Sequence, residues 1–333
     1  MSDDASALSG EDRLIAQLFK PLASYPGALA LEDDAAFFSP PAGHDLVLTK
    51  DALVAGVHFF ADDPPDAIAR KALRVNLSDL AAKGADPAAF LLAIALPADT
   101  KPEWLNSFAH ALGEDAAHYA CSLLGGDTVR TPGPLTLSIT AFGTVPSGAM
   151  VRRGGAQPGD RVFVSGTIGD AALGLLLRKG QRATLSLPDD SKEHLLNRYL
   201  VPRPRNALAR ALRDHASAAM DVSDGLVGDL AKLCRVSGVS ADIRVAGIPL
   251  SQAARVAVAY DRSLIEAALT GGDDYEVLCT VAASKSAAWL QAARAADVEV
   301  TEIGCVVEGT DPPQWFDESG RALAFSQTSF SHF

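Results

Sequence analysis

No G-x-x-x-x-G-K-[ST] phosphate loop occurs anywhere in the 333 residues, and no G-x-G-x-x-G follows a strand-like run. Any nucleotide must therefore be held by another device. Basic residues are also scarce: 29 Lys and Arg against 41 Asp and Glu leave a net charge of −12, which argues against a nucleic-acid phosphate track or an anionic membrane surface. An anionic substrate would need added cations to bring it in. The four cysteines, Cys121, Cys234, Cys279 and Cys305, lie far apart with no CxxC, so neither a zinc site nor a disulfide framework is suggested. They read as reduced core thiols of a cytoplasmic protein. The longest apolar run, AAFLLAIALP at 88–97, is too short to span a bilayer, and the amino terminus is acidic where a signal peptide is basic. No membrane partner is expected.

What is present is ordinary globular material, 48% apolar and 21% charged, in a length that suits two domains. Residues 11–23 carry helical periodicity, and LVLTKDALVAGVHFF at 46–60 begins as a buried strand ending near Thr49, Lys50 and Asp51. In KALRVNLSDLAAKGA, residues 71–85, Leu73, Leu77 and Leu80 form an apolar stripe beside a polar seam of Asn76, Asp79 and Lys83. Pairing of Asp79 with Lys83 one turn on is one reading of that seam. A strand at 90–97, an amphipathic helix from Lys101 and a β-rich run over 122–145 follow. The Gly- and Pro-dense stretch 146–160 places a boundary, giving expected domains 1–148 and 149–333. The class expected is α/β, or α+β.

Acidic residues recur at the junctions of these elements. Glu32, Asp33 and Asp34 in ALEDDAAFF read as a strand edge, with an Asp-rich turn as the alternative. Gly125, Gly126, Asp127 and Thr128 can let a backbone approach a ligand and offer it a carboxylate, or form a hairpin turn. Asp221, Ser223 and Asp224 in MDVSDGL sit at a strand-to-helix turn, where one cap would need fewer oxygens. ALTGGDDYE repeats the Gly-Gly-acid device with Asp273, Asp274 and Glu276. His58, beside Phe59, reads on its own as a packed, hydrogen-bonded residue. Carboxylates spread over both domains, with glycines beside them and few basic groups, are what a multi-metal phosphate site requires, because hard Mg²⁺ takes carboxylate and phosphate oxygens.

GEDRLIAQLF, EDDAAFF, TKDALVAGVHF, KALRVNLSDLAAKGADP, LLGGDT, RRGGAQPGD, VSGTIGDAALGL, MDVSDGL, GGDDYE and the terminal SHF, in that order, resemble the thiamine-monophosphate kinase family over residues 10–333. The wider superfamily includes aminoimidazole ribonucleotide synthetase and selenophosphate synthetase. The resemblance implies a two-domain plan with ATP bound between the domains. An amino-terminal sheet domain would pair into a barrel in a homodimer, and a carboxy-terminal α/β domain would complete the nucleotide and substrate site. It implies Mg²⁺-dependent transfer from ATP to thiamine monophosphate. Carried over by position, Asp34, Thr49, Lys50, Asp51, Asp79, Asp127, Asp221 and Asp224 match metal positions, with Asp79 bridging ions. Gly126, Asp127, Arg153 and Ser223 match ATP contacts, and His58, Asp273 and Phe330 match substrate contacts; Asp79, Asp127 and Arg153 are the residues expected to drive the reaction. Two positions depart from the family pattern. Lys50 stands where a second Thr is common, and an ammonium cannot ligate a metal, so either its carbonyl serves or its charge replaces a cation. Asp273 stands for a Glu and is one methylene shorter.

The other branches fit less well. The selenophosphate branch needs a reactive residue near the amino terminus, yet no Cys precedes Cys121; a carbamoyl-transfer scaffold ends in Cys, yet this chain ends in Phe333. A superfamily ligase would instead use ATP to activate a carbonyl oxygen.

A phosphate monoester has a second pKa near 6, by analogy with phosphorylated side chains, so the acceptor oxygen is already an anion at neutral pH. No general base, catalytic His or phosphoenzyme is then required, and the work is positioning and charge neutralisation. Incubation with labelled ATP alone is expected to leave no phosphate on the denatured protein. A stoichiometric label would contradict direct transfer.

Overall fold

Alternation of apolar and polar residues builds the first sheet. The computed structural model describes residues 10–181 and 186–329. In β4 (Thr136–Pro146) Leu137, Ile139, Ala141, Gly143 and Val145 are buried while Ser138, Thr140, Phe142 and Thr144 between them are half-buried. With β1 (His44–Val54), β2 (Asp86–Pro97) and β3 (Ser122–Thr131) it forms a four-stranded sheet in the order β1-β4-β2-β3, in which only β2 and β3 run parallel. The short helix α1 (Gly10–Leu14) precedes it, and helices α2 (Pro65–Ala82) and α3 (Pro102–His118) cover one face. The apolar stripe read from the sequence is the buried side of α2: Leu73, Leu77 and Leu80 are wholly inaccessible, as are Phe108 and Leu112 on α3. The opposite face leaves Leu46, Leu48 and Val129 exposed.

Three expectations are corrected here. Strand β1 is not of the buried type and does not end near Asp51: its burial alternates and it pairs with β4 through Val54. Residues 11–23 do not form one helix: α1 gives way to a π-type turn at Ile15–Phe19 and a 3-10 turn at Lys20–Leu22, where Pro21 removes a backbone donor. The segment EDDAAFF is not a strand edge; Asp33–Phe38 lies outside regular structure, and Phe37 remains exposed.

Contacts group the residues up to Leu80, with Asp86–Gly148, into one unit, and Ala81–Ala85, with the residues from Ala149 onward, into a second. The second unit is built on a seven-stranded sheet in the order β11-β10-β7-β9-β5-β8-β6. Its strands are β5 (Arg161–Ser165), β6 (Ala216–Asp221), β7 (Ser240–Arg244), β8 (Val277–Val281), β9 (Val300–Val307), β10 (Gln314–Phe316) and β11 (Ala322–Leu323). Its helices are α4 (Asp170–Arg178), α5 (Asp189–Leu200), α6 (Ala209–His215), α7 (Leu226–Ser237), α8 (Gln252–Tyr260), α9 (Leu264–Thr270) and α10 (Ser286–Ala295). The central strands are largely apolar, as a sheet covered on both sides requires, and β8 is buried at every position. Val162, Val164, Met220 and Leu278 pack with Leu226, Leu230 and Leu233 of α7 on one face. Phe163, Cys279 and Val281 pack with Leu212 and Trp289 on the other.

Within the first unit α2 is fixed to α3 by charge. The buried Asp115 accepts from Arg74 at 2.6 and 2.8 Å and from Arg70 at 2.7 Å, and Arg74 also lies 5.6 Å from the Tyr119 ring centre. Two guanidinium forks satisfy one inaccessible carboxylate. Asp115→Ala would leave both cations without it, and is expected to lower unfolding free energy by about 2–4 kcal/mol in urea titration. A change under about 0.5 kcal/mol would show the pair to be incidental.

Candidate active site

In the first unit, Thr49 and Asp51 share one face of β1 with the buried Val47 and Leu53 and face the helices. The Thr49 hydroxyl donates to the Asp79 carboxylate, so strand β1 and helix α2 bring these two candidates together. Asp79 is not held by Lys83, whose ammonium donates to the Ala219 carbonyl at 2.7 Å. Lys50 points the opposite way. Its ammonium donates to the Ser138 hydroxyl at 2.7 Å and lies 3.4 Å from that of Thr140, which leaves its main-chain carbonyl as the group it can offer a metal.

Asp127 lies within β3 rather than in a hairpin turn, opposite Ala93, which in turn is opposite Ser138. Asp127 therefore shares the face of Lys50, away from Thr49 and Asp51. Gly126 has a structural demand of its own: a Cβ there would lie 1.8 Å from the Leu92 carbonyl oxygen of the neighbouring strand. Asp34, Gly126 and Asp127 meet along the open edge of β3, where they line a cavity of about 680 Å³ together with Asp33 and Thr128 and an apolar wall that includes Phe19 and Phe38. His58 accepts the Val54 amide on Nδ1 at 2.9 Å, which puts its ring proton on Nε2.

In the second unit, β6 ends at the buried Asp221 and the chain turns through Ser223 and Asp224 into α7. Neither Ser223 nor Asp224 caps that helix. The wholly buried Asp229 of the first helical turn reaches back, and its Oδ2 accepts the amides of both residues at 3.0 Å. Lys232 Nζ meets Asp229 at 2.9 Å and Asp224 at 2.5 Å. Burial raises the Asp229 pKa, while the Lys232 hydrogen bond and charge draw it back; burial opposes the Lys232 charge, but both carboxylates outweigh that and raise its pKa.

The Gly-Gly-acid loop is laced to this turn by main chain. The Asp273 amide donates to the Ser223 carbonyl and the Tyr275 amide to that of Val222, each at 2.9 Å. Asp273 and Tyr275 are held at φ of 74° and 52°, a strained setting for residues with side chains. Gly272 permits the approach, since a Cβ there would stand 2.3 Å from the Ser223 carbonyl oxygen. Asp221, Ser223, Asp224 and Asp273 are thus brought together. Arg153 is exposed, and Phe330 falls outside the described residues.

Beneath the loop lies a charged network that the sequence reading left unassigned. Glu276, wholly buried, accepts from Arg205 at 2.6 and 2.5 Å, from Arg198 at 3.0 Å and from Ser165 at 2.6 Å. Asp274 accepts the Gly169 amide at 2.7 Å, and its own carbonyl accepts from Arg198 at 3.2 Å. Asp170 is bonded to Thr167 at 2.7 Å and lies 3.1 Å from His194. The acids of GGDDYE therefore divide: Asp273 is half-buried, while Asp274 and Glu276 hold the loop from below. Period-2 alternation ahead of β8 was the available signal.

No three His, Cys, Asp or Glu residues among those described already form a metal cluster. The donors offered by the candidates are nonetheless carboxylate and hydroxyl oxygens, a set that suits a hard divalent cation such as Mg²⁺. Burial pushes the Cys121 and Cys234 thiols up to about 12, which excludes them as nucleophiles near neutrality. No helix among the described residues is long and apolar enough to cross a membrane.

Residues 32–145 match the AIR synthase related protein N-terminal domain, and residues 157–312 the C-terminal domain. The chain is 44% identical to the thiamine-monophosphate kinase of Caulobacter vibrioides over 99% of its own length and 94% of the relative's. The crystal structure of thiamine-monophosphate kinase from Stenotrophomonas maltophilia superposes with a TM-score of 0.81 at 39% identity, covering 94% of this chain and 96% of that one. AaThiL complexed with AMPPCP and TMP superposes with a TM-score of 0.76 at 32% identity, over 90% and 91%.

Burial lifts the Asp274 carboxyl well above its ordinary value of 3.8, against the Gly169 amide and the charge of Arg198. The folded chain keeps this proton where the unfolded chain has lost it. The associated stability is fully present below 3.8 and is lost as pH rises through the folded value. Asp274→Asn is expected to flatten this part of the dependence in urea unfolding across the mildly acid range; an unchanged slope would show that Asp274 stays ionised.

Proposed function

The chain belongs to the thiamine-monophosphate kinase family of AIR synthase related proteins, and on that premise we propose that it transfers the γ-phosphoryl group of ATP directly to thiamine monophosphate, yielding thiamine diphosphate and ADP. The observation that carries this reading is a resemblance that runs almost end to end in both chains, at 44% identity over 99% of this one. The complex of AaThiL with AMPPCP and TMP supports both substrates.

The residues assign themselves to roles by their chemistry. Mg²⁺, when bound, would neutralise phosphate charge in the transfer. Oxygens for such ions would come from Asp34 and Asp127 at the β3 edge, from Thr49, Asp51 and Asp79 between β1 and α2, from the Lys50 carbonyl, and, in the second unit, from Asp221; Asp224, expected in the same set, is bonded to Lys232. Gly126, Asp127, Arg153 and Ser223 would meet the nucleotide, and Arg153 brings a fixed positive charge to the phosphates. His58, Asp273 and Phe330 would position the acceptor. Its phosphate oxygen is already anionic at neutral pH, so the protein need only align donor and acceptor and offset their charges. The exposed Leu46, Leu48 and Val129 on one face of the first sheet support a homodimer through that face, and the acidic, reduced-thiol composition supports a cytoplasmic enzyme.

Supplied with ATP, Mg²⁺ and thiamine monophosphate, the folded protein should form thiamine diphosphate, detected by chromatography; no turnover would sink the reading. Asp79→Asn keeps an acceptor for Thr49 and removes the charge. It is expected to cost at least about a hundredfold in kcat while unfolding stability stays within about 1 kcal/mol. Survival of activity would return Asp79 to a structural role.

A further inference from the structure

We propose that Lys232 is the resident cation of Asp224, occupying the position on that carboxylate that a metal ion would otherwise take. The inference rests on the metal-dependent kinase reading and sharpens it, since it removes one residue from the metal set and adds one fixed charge.

The first support is how the chain sorts its carboxylates. Three buried carboxylates with a structural task come with Lys or Arg: Asp115 with Arg70 and Arg74, Glu276 with Arg198 and Arg205, Asp229 with Lys232. Among the described residues, no Lys or Arg meets Asp34, Asp79 or Asp127, which leaves those carboxylates to an ion from solution. Asp224 falls in the first class, with Lys232 Nζ 2.5 Å from its Oδ2.

The second support is that Lys232 is not free to leave. Its other contact, Asp229 Oδ1 at 2.9 Å, belongs to a wholly buried carboxylate whose second oxygen carries the Ser223 and Asp224 amides. Swinging the ammonium away would strand that buried charge, a costly state. A divalent ion on Asp224 Oδ2 would sit roughly 2.1 Å from the oxygen, within a few ångströms of the ammonium, and the two cations would repel strongly in a half-buried setting. Ammonium and metal are alternatives at this oxygen. The ammonium has three donors and no lone pair, so it neutralises Asp224 without bringing exchangeable water, and its charge does not depend on metal concentration.

The test counts ions rather than turnover. The full-length protein, saturated with AMPPCP and without thiamine monophosphate, is titrated with Mn²⁺, and bound ions are counted by electron paramagnetic resonance. Asp224→Asn is expected to bind as many ions per chain as the parent. Lys232→Gln, which keeps a donor for Asp229, is expected to bind one more, and the double variant to lose it again. Loss of an ion in Asp224→Asn with Lys232 intact would overturn the proposal, as would a folded Lys232→Gln that gains none. If Lys232→Gln does not fold, as circular dichroism would show, the Asp224→Asn count decides alone. Failure to bind any Mn²⁺ with the nucleotide analogue would overturn the metal-site reading and this inference together. Absent turnover with normal Mn²⁺ counts would strike only the assignment of the reaction.

Discussion

A carboxylate removed from water must be neutralised or hydrogen-bonded, and the architecture of this protein depends on how that demand is met. In the interior the chain meets it with its own cations and amides. Asp115 ties α3 to α2 through two guanidinium forks, and Glu276 ties the loop before β8 to Arg198 and Arg205. Asp229 holds the turn between β6 and α7 by two amides, with Lys232 as counter-ion. Asp34 and Asp127 stay exposed along an open strand edge, where water meets that demand and none of the described residues supplies a side-chain cation. In a protein with a net charge of −12, that division separates carboxylates held by the fold from the two acids proposed above as metal ligands.

The same division explains the strained loop. Asp273 and Tyr275 occupy positive φ because main-chain bonds to Ser223 and Val222 hold them there, and because Asp274 and Glu276 anchor the loop from beneath. The half-buried side chain of Asp273 is thereby set by a rigid support rather than by its own freedom.

Much of this was legible in the chain. Periodicity located α2 and its buried Leu73, Leu77 and Leu80, and an apolar run located β2, because burial imposes a pattern that survives in the sequence. The motif order identified the family. Other features were not legible. The helical periodicity of residues 11–23 was broken by Pro21 and by packing, and the Phe pair after Asp34 gave no strand, because an apolar pair does not by itself recruit a partner strand. The pairing of Asp79 with Thr49 rather than Lys83 joins residues 30 positions apart, and Lys83 bonds to a residue 136 positions away. Spacing along one helix could not decide between them.

The sequence by itself determined most of the elements, the family, and the residue types available for the chemistry: oxygen donors at element junctions and few cations. Only the tertiary structure decided which carboxylates already have a partner. It gave Lys232 to Asp224 and Asp229, two arginines to Glu276, and a hydroxyl to Asp79. The reason is physical. Helix and strand periods follow from local backbone geometry, whereas the neutralisation of a charge depends on what the folded chain places within about 3 Å of it.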